Sequence, residues 1–268
     1  KALYRSGKWP SGASARIVIS GTIKGSGKYS NATGSMIEVS GVGNYPPIVI
    51  EGAPGTGGTL DANLGGNTNP NEKGRVLYIG NNKVTLGNNL VLTGGKTLWG
   101  GAVCVGTHGN VSDGDLVLAG AEITGNRGKV GGGVNVYKGR MSMTGGAIRN
   151  NSNESGDPGA SQGGGIYLEP DTVLDLSGGT IEGNGNANTD NGGGVYLNGR
   201  ARAVMTGGKI INNNSKESGG GVYTYGEFEM RDGIIKDNNS GKDNDVGVGP
   251  FMGKFIHTGG TVGNITVP

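Results

Sequence analysis

A four-residue motif, three glycines followed by an aliphatic residue, recurs along the middle of the chain and constrains its fold more than any other feature. The four copies begin at Gly131, Gly163, Gly192 and Gly219, about 30 residues apart. Such a period is typical of solenoids, propellers and other repeat arrays. Helical repeats are excluded, because each glycine in a helix costs about 1 kcal/mol relative to alanine. Propeller blades need roughly 40 residues or more, so the period favours a solenoid.

Short alternations of apolar and polar residues follow each motif, as in Val134-Asn135-Val136 and Leu174-Asp175-Leu176. This is the periodicity of β-strands. A second strand and the next aliphatic residue keep a constant spacing in every copy, whereas the segments between copies vary in length. The pattern predicts an all-β fold, a right-handed, single-stranded parallel β-helix of about nine rungs. Each rung is expected to contain three short strands, with inward side chains aligned in columns.

An asparagine follows three residues after the aliphatic residue that closes each repeat. The five copies are Asn126, Asn151, Asn184, Asn213 and Asn238. Asparagine tolerates left-handed backbone conformations, and stacked amides can hydrogen-bond along a column. We therefore interpret the five residues as a structural asparagine ladder at one corner of the solenoid.

The composition agrees with a solenoid only because the chain is periodic. It contains 268 residues with 60 glycines and 9 prolines, a balance that would otherwise indicate disorder. Only 33% of the residues are hydrophobic, which suits a narrow column of inward side chains better than a globular core. We predict one domain over residues 1–268, in which 1–14 form an opening strand or cap and 246–268 form a degenerate last rung.

Charge and cysteine content exclude several function classes. The formal net charge of +2 is too small for a nucleic-acid interface, which needs a clustered basic surface. No apolar run is long enough for a transmembrane helix, and no signal peptide is visible at Lys1. One cysteine and two histidines exclude a standard structural zinc site. Cys104 is expected in an outward slot that tyrosine occupies in later rungs.

Three tyrosines occupy the same outward position in successive repeats, namely Tyr167, Tyr196 and Tyr223. Aromatic rings offer a large contact area at a low entropic cost, so this stripe is a candidate ligand-binding face for a sugar chain or a peptide. The alternative is an aromatic ladder that only protects the sheet, because aromatic residues favour strands in any case.

Acidic residues suggest two further sites. Asp237, Asp243 and Asp245 lie in an oxygen-rich loop that could bind calcium, although the loop lacks the EF-hand order. The alternative is a solvated loop, and no other metal or cofactor is expected.

A glycosidase or lyase would need converging carboxylates. Asp175 and Glu229 share one outward column, but Val204 separates them, and no column collects acids. We therefore expect no catalytic residues, and we expect Arg149 and Glu182 to form a weak surface ion pair.

Two motifs resemble those of a known family. Gly100-Gly101-Ala102-Val103 is similar to the Gly-Gly-Ala-aliphatic motif of the chlamydial polymorphic membrane proteins, which are autotransporter passengers. Ile148-Arg149-Asn150-Asn151 resembles their Phe-x-x-Asn motif, with isoleucine in place of phenylalanine. The resemblance implies a pectate-lyase-like right-handed β-helix in a bacterial protein that is secreted or associated with the outer membrane and binds host or matrix components.

Taken together, these features predict an extracellular or cell-surface bacterial module for adhesion or structural display. We expect a monomer without a membrane span that binds a host or matrix protein or a glycan. The variable loops 53–74, 107–114, 152–162 and 184–191 would form the contact surface. Two alternatives stay open on the same fold: a polysaccharide lyase or hydrolase that uses Asp175, and a glycan-binding module that uses the tyrosine stripe.

Overall fold

The described part of the chain is a parallel β-solenoid. A computed structural model describes residues 14–26, 34–40, 46–64, 74–106, 113–154 and 161–266. These residues form strands and turns and no helix, and strands of successive rungs pair in parallel. The predicted all-β, parallel β-helical fold class is thereby confirmed. No helix within the described ranges is long and apolar enough to cross a membrane.

Strands of the solenoid belong to three sheets. Sheet 1 has 14 strands: β1 (Ala15–Ile19), β2 (Gly21–Lys24), β4 (Ile48–Gly52), β5 (Gly58–Asp61), β7 (Lys83–Leu86), β8 (Leu90–Thr93), β11 (Gly114–Thr124), β14 (Gly139–Arg149), β17 (Val173–Leu176), β18 (Thr180–Glu182), β20 (Arg202–Ile211), β22 (Glu227–Lys236), β24 (Lys254–His257) and β25 (Thr261–Val262). Sheet 2 has nine: β3 (Ser35–Val39), β6 (Arg75–Ile79), β10 (Val103–Val105), β13 (Val134–Val136), β16 (Ile166–Leu168), β19 (Val195–Leu197), β21 (Val222–Thr224), β23 (Val246–Val248) and β26 (Ile265–Thr266). Sheet 3 has three: β9 (Lys96–Trp99), β12 (Arg127–Val130) and β15 (Ser152–Asn153).

Two details of the predicted architecture were wrong. The solenoid makes about seven turns rather than nine rungs. Nine strands do stack along each long sheet, but the outermost strands belong to rungs that do not close on every side. The expectation of three short strands per rung holds in some rungs, such as β16, β17 and β18, and is wrong in others. In β11, β14, β20 and β22 the second and third predicted strands merge into one long strand. Beyond β15 the third side continues only as single bridges between rungs.

The core consists of columns of identical or similar side chains. Parallel pairing sets the register residue by residue, so that Val134 pairs with Ile166 and Ile166 pairs with Val195. In the same way Met143 pairs with Leu176 on sheet 1. The inward residues of three such columns are fully or almost fully buried: Val134, Ile166, Val195, Val222; Met143, Leu176, Met205, Met230; and Ile148, Ile181, Ile210, Ile235. Burial of apolar surface contributes about 25 cal/mol per Å², so each added rung extends a continuous core.

Backbone geometry explains the triple glycines that precede sheet 2. Gly131 has φ = 64°, a left-handed conformation in which L side chains are strained. At the next position, a Cβ atom on Gly132 would lie 2.3 Å from the carbonyl oxygen of Gly164 in the following rung. The rungs therefore approach each other too closely at this corner for any side chain.

Several predicted segments lie outside the described residues. These are the opening segment 1–13 and parts of three expected contact loops, namely 65–73, 107–112 and 155–160. Residues 246–266 contain β23 to β26, where β26 pairs with β23, and the side chains of Phe251 and Met252 are exposed.

Candidate functional site

The tyrosine stripe lies on the outer face of sheet 2. Parallel pairing places Tyr167 beside Tyr196, and Tyr196 beside Tyr223. The same outward column also contains Tyr78, Cys104 and Asn135, which precede Tyr167 in register. The structure thus brings the three predicted tyrosines together and places Cys104 in their column.

Stacking within this column is close. The ring centroids of Tyr167 and Tyr196 are 5.1 Å apart with the planes 3° from parallel, and those of Tyr196 and Tyr223 are 5.7 Å apart. Tyr225 packs edge-on against Tyr223 at 5.3 Å. Such arrangements stabilise a protein by about 0.5–1.5 kcal/mol per pair beyond area burial.

The tyrosine hydroxyls have partners inside the protein. Asn198 Nδ2 donates a hydrogen bond of 3.0 Å to the Tyr167 hydroxyl. Gln162 lies near the Tyr196 hydroxyl, and the Tyr225 ring packs against Tyr223. Burial is the main cause that raises the pKa of all three tyrosines above the ordinary value.

This geometry leaves little of the stripe for a ligand. Tyr167, Tyr196 and Tyr223 are only 6%, 3% and 8% exposed, because each ring face is covered by the next ring. A sugar that stacks on an aromatic ring needs an open ring face. The stacked rings cover the outer surface of sheet 2, and ligand binding by the stripe stays an untested prediction.

Asn135 and Cys104 interrupt the aromatic column. Asn135 is fully buried, and neither its Oδ1 nor its Nδ2 has a hydrogen-bond partner in the described part of the chain. Burial raises the pKa of the Cys104 thiol, so the thiolate form needed for nucleophilic chemistry is disfavoured.

The five asparagines form a continuous hydrogen-bonded column at the corner where sheet 1 ends. In each step, Nδ2 of one asparagine donates to Oδ1 of the next at 3.0 Å, from Asn126 through Asn151, Asn184 and Asn213 to Asn238. The backbone N–H of each also donates to the same Oδ1. The second proton on Nδ2 reaches a backbone carbonyl of a preceding rung, as from Asn184 to Ile148 at 2.8 Å.

Asp245 ends this ladder. Its Oδ1 accepts hydrogen bonds from the backbone N–H and Nδ2 of Asn238, and its Oδ2 accepts one from the Asn264 backbone N–H at 2.7 Å. The carboxylate is 2% exposed.

The three aspartates predicted as calcium ligands are therefore engaged separately. Asp243 accepts a hydrogen bond from the Ser218 hydroxyl, and Asp237 pairs with Lys236 at 3.3 Å. Among the described residues, no three histidine, cysteine or acidic side chains group together as metal ligands. Calcium binding stays an untested prediction.

Acidic residues on the outer face of sheet 1 are mostly paired with arginine. Glu229 accepts hydrogen bonds from Arg231 at 2.7 and 2.9 Å and lies 3.5 Å from Arg202. The hydrogen bonds from Arg231 are the largest cause that holds its pKa below the ordinary value. Asp175 is exposed and pairs in register with Ser142 and Val204. The structure therefore does not bring Asp175 and Glu229 together.

The expected ion pair between Arg149 and Glu182 was wrong. Arg149 instead donates two hydrogen bonds to Glu122, at 2.7 and 2.8 Å. Glu122 lies two positions from Thr124, the residue that pairs in register with Arg149, and both of its carboxylate oxygens accept from the guanidinium in a bidentate fork.

An open groove, not predicted from the sequence, lies at the corner between sheet 2 and sheet 1. It is lined by residues 113–115, 137–140, 170, 171 and 173, which lie at equivalent corners of three consecutive rungs, and has a volume of about 620 Å³. We call it the corner groove. Charged side chains line it, and most are paired: Lys138 with Asp113 at 3.5 Å, and Asp171 with Arg200 at 2.7 Å.

Sequence reasoning missed the corner groove because its residue types differ from rung to rung. The sequence does contain one indication of the groove, which is the charged residue that recurs at the first outward position of the sheet 1 strands. Register aligns seven residues there, six of them charged: Lys83, Asp115, Arg140, Val173, Arg202, Glu227 and Lys254.

A comparison of the chain with models of protein families, with curated proteins and with solved structures found no match.

Proposed function

We propose that this chain is a non-catalytic display module of a bacterial surface or secreted protein, which binds an extracellular partner. The module is a monomer in this proposal, and its partner is a host or matrix component. Its right-handed winding, its relation to autotransporter passengers and its association with the outer membrane are parts of the same proposal.

One observation carries the proposal: strand pairing is constant along the solenoid, while the corners between the strands vary. In sheet 2 three residues pair with three in each step from β10 to β21. The corner between the two long sheets is short after Thr224, where Glu227 already begins β22, and longer after Val105, where β11 begins at Gly114. A rigid scaffold with variable corners is the arrangement that repeat proteins use for recognition.

The outer face of sheet 1 also supports binding over catalysis. Hydrolysis of a glycosidic bond needs two carboxyl groups that face the same bond. Asp175 stands between Ser142 and Val204, while the fork of Arg231 neutralises Glu229. A polysaccharide-degrading enzyme is therefore the weaker candidate.

The test is an assay for both binding and cleavage. The purified chain is incubated with a panel of polysaccharides and immobilised matrix proteins, with and without calcium, and the release of reducing or unsaturated ends is followed. We expect binding to at least one partner and no new chain ends.

Asp175→Asn provides the matched control, because it removes the charge and keeps the shape of the side chain. Chain ends that the unmodified protein releases and this variant does not would identify an enzyme and refute the proposal. Binding that is unchanged by Asp175→Asn is the expected result.

A further inference from the structure

We infer that the corner groove is a binding site for an acidic saccharide, that is, a sugar residue that carries a carboxylate. In this assignment Arg140 binds the carboxylate and Asp115 accepts a hydroxyl hydrogen bond. The inference deepens the proposed display function by naming a class of partner, and it rests on that function.

Arg140 is the charged residue of the groove that lacks a partner. Its side chain is exposed, and no ion pair or hydrogen bond joins it to another residue that the structure describes. Lys138, in the same corner, pairs with Asp113 at 3.5 Å. A guanidinium presents a planar fork of donors that matches a carboxylate with two parallel hydrogen bonds. The groove therefore offers one open position for an anion.

Asp115 supplies the second observation. It pairs in register with Arg140, so the two side chains leave neighbouring strands about 4.8 Å apart. Its Oδ1 is buried without a hydrogen-bond partner, while its Oδ2 lies 3.6 Å from the Lys83 ammonium. The Asp115 side chain as a whole is 27% exposed, so a rotation of the carboxylate would bring the unsatisfied acceptor to a hydroxyl group of a ligand in the groove. An acceptor beside an open cationic fork fits a ligand that has both hydroxyls and a carboxylate.

The walls and size of the groove suit a sugar. Tyr137 is half-buried, and together with Pro170 and Val173 it provides apolar surface for the C–H face of a ring. The volume of about 620 Å³ lies in the range of small-ligand sites. The groove crosses three rungs, roughly 10 Å along the solenoid axis.

The surrounding charges argue for a single carboxylate rather than a polyanion. Asp113, Asp115 and Asp171 all line the groove. They would repel the closely spaced phosphates of a nucleic acid, which needs a continuous basic surface. A sugar acid places one negative charge at Arg140 and hydroxyl donors toward the aspartates.

The test is calorimetric titration of the intact chain with tri-galacturonic acid, tri-mannuronic acid and 3′-sialyllactose. The methyl ester of each serves as a neutral counterpart that keeps the sugar and removes the charge. We expect at least one acid to bind and its ester to bind at least tenfold more weakly, since a charge-assisted pair is lost. Equal affinity of acid and ester, or no binding to any of the three acids, would overturn the inference.

Variants locate the site. Arg140→Ala should weaken binding of the acid roughly tenfold and leave the affinity for its ester almost unchanged. Arg202→Ala is the matched control, because Arg202 lies in the same outward column two rungs away and outside the groove. Arg202→Ala removes one positive charge from the same face. The affinity of this variant for the acid should stay within about twofold of that of the unmodified protein.

Failure of this inference and failure of the proposed function give different results. An equal loss of affinity for the acid in Arg140→Ala and Arg202→Ala would indicate general electrostatic attraction and would contradict the corner groove as the site. The proposed display function, with another partner, would not be affected by that result. Cleavage of the saccharide would instead refute the non-catalytic function. Thermal unfolding of each variant verifies that lost affinity is not lost folding.

Discussion

Asn238 donates a hydrogen bond of 2.8 Å from Nδ2 to Oδ1 of Asp245, so the asparagine ladder ends on a buried carboxylate. The other carboxylate oxygen accepts the Asn264 backbone N–H at 2.7 Å. Every earlier position of the ladder needs a side chain that both accepts and donates. Asp245, at the last position, faces hydrogen-bond donors on both sides, from Asn238 and from the Asn264 N–H. Only a carboxylate offers an acceptor oxygen to each of them.

The first prediction concerns Asp245→Asn. The new amide can accept from Asn238 only if its NH₂ group faces the Asn264 N–H, so the partly buried Asn264 N–H loses its acceptor. We expect the free energy of unfolding to fall by about 1–3 kcal/mol, measured by urea denaturation.

Asp237→Asn is the control for this change, since Asp237 lies at the same corner but is exposed and pairs only with Lys236 at 3.3 Å. Its effect should stay within about 0.5 kcal/mol. Equal effects of the two substitutions would contradict a specific role for Asp245 at the end of the ladder.

A second prediction concerns the middle of the ladder. Asn184→Ala removes the acceptor of two donors on Asn151 and the donor to the Ile148 carbonyl, all of them buried. Because several buried polar groups lose partners at once, we expect a loss of about 2–4 kcal/mol in unfolding free energy.

Asn188→Ala, in the loop that follows, tests whether any asparagine would give this result. The Asn188 side chain is exposed, so its removal should change stability by less than about 0.5 kcal/mol. A comparable loss in both variants would show that the ladder adds no special stability.

Much of this arrangement follows from the sequence, and the reason lies in periodicity. The constant spacing that ends at Asn151 and Asn184 requires equivalent positions in successive rungs, and stacked equivalents must contact each other. The role of Asp245 at the end of the ladder could not be predicted, because Asp245 precedes β23 in the chain and contacts the asparagine ladder only through its side chain. Its sequence neighbours alone indicate a calcium-binding loop.

Burial of the tyrosine stripe also could not be predicted from spacing. Alternation places Tyr196 on the outer face of sheet 2, and outward positions are normally exposed. Its 3% exposure results from neighbours on both sides, with ring centroids at 5.1 and 5.7 Å. The corner groove at Asp115 and Arg140 could not be predicted for a related reason. Its residues occupy equivalent positions in the fold, but their residue types differ from rung to rung.

A third prediction follows from the raised pKa values of Tyr167, Tyr196 and Tyr223, which burial causes. In the unfolded chain these phenols lose their protons near pH 10, while in the folded protein they keep them. Above this pH the unfolded state binds fewer protons, so stability falls as pH rises. Below pH 10 the contribution should be constant.

Measurement of urea unfolding between pH 8 and pH 11 tests this sign. The variant with phenylalanine at all three positions keeps the stack and removes the titrating groups, so its decline should be shallower. Lysines titrate in the same range and form the background common to both proteins. Identical slopes would show that the tyrosines ionise as readily in the folded state as in the unfolded chain.

The last prediction compares two glycines of one repeat. At Gly132 a Cβ would lie 2.3 Å from the Gly164 carbonyl oxygen and 2.4 Å from that of Ser152. The N–H groups of Gly164 and Ser152 donate hydrogen bonds to neighbouring rungs, which hold both backbones in place. At Gly145 the nearest atom is 3.3 Å away, and the preceding rung already has Ala119 at the paired position. Gly132→Ala should therefore destabilise the solenoid by more than about 3 kcal/mol, whereas Gly145→Ala should cost less than about 1 kcal/mol. Thermal and urea unfolding would measure both, and similar stabilities would mean that the corner between rungs is looser than the short backbone distances at Gly132 require.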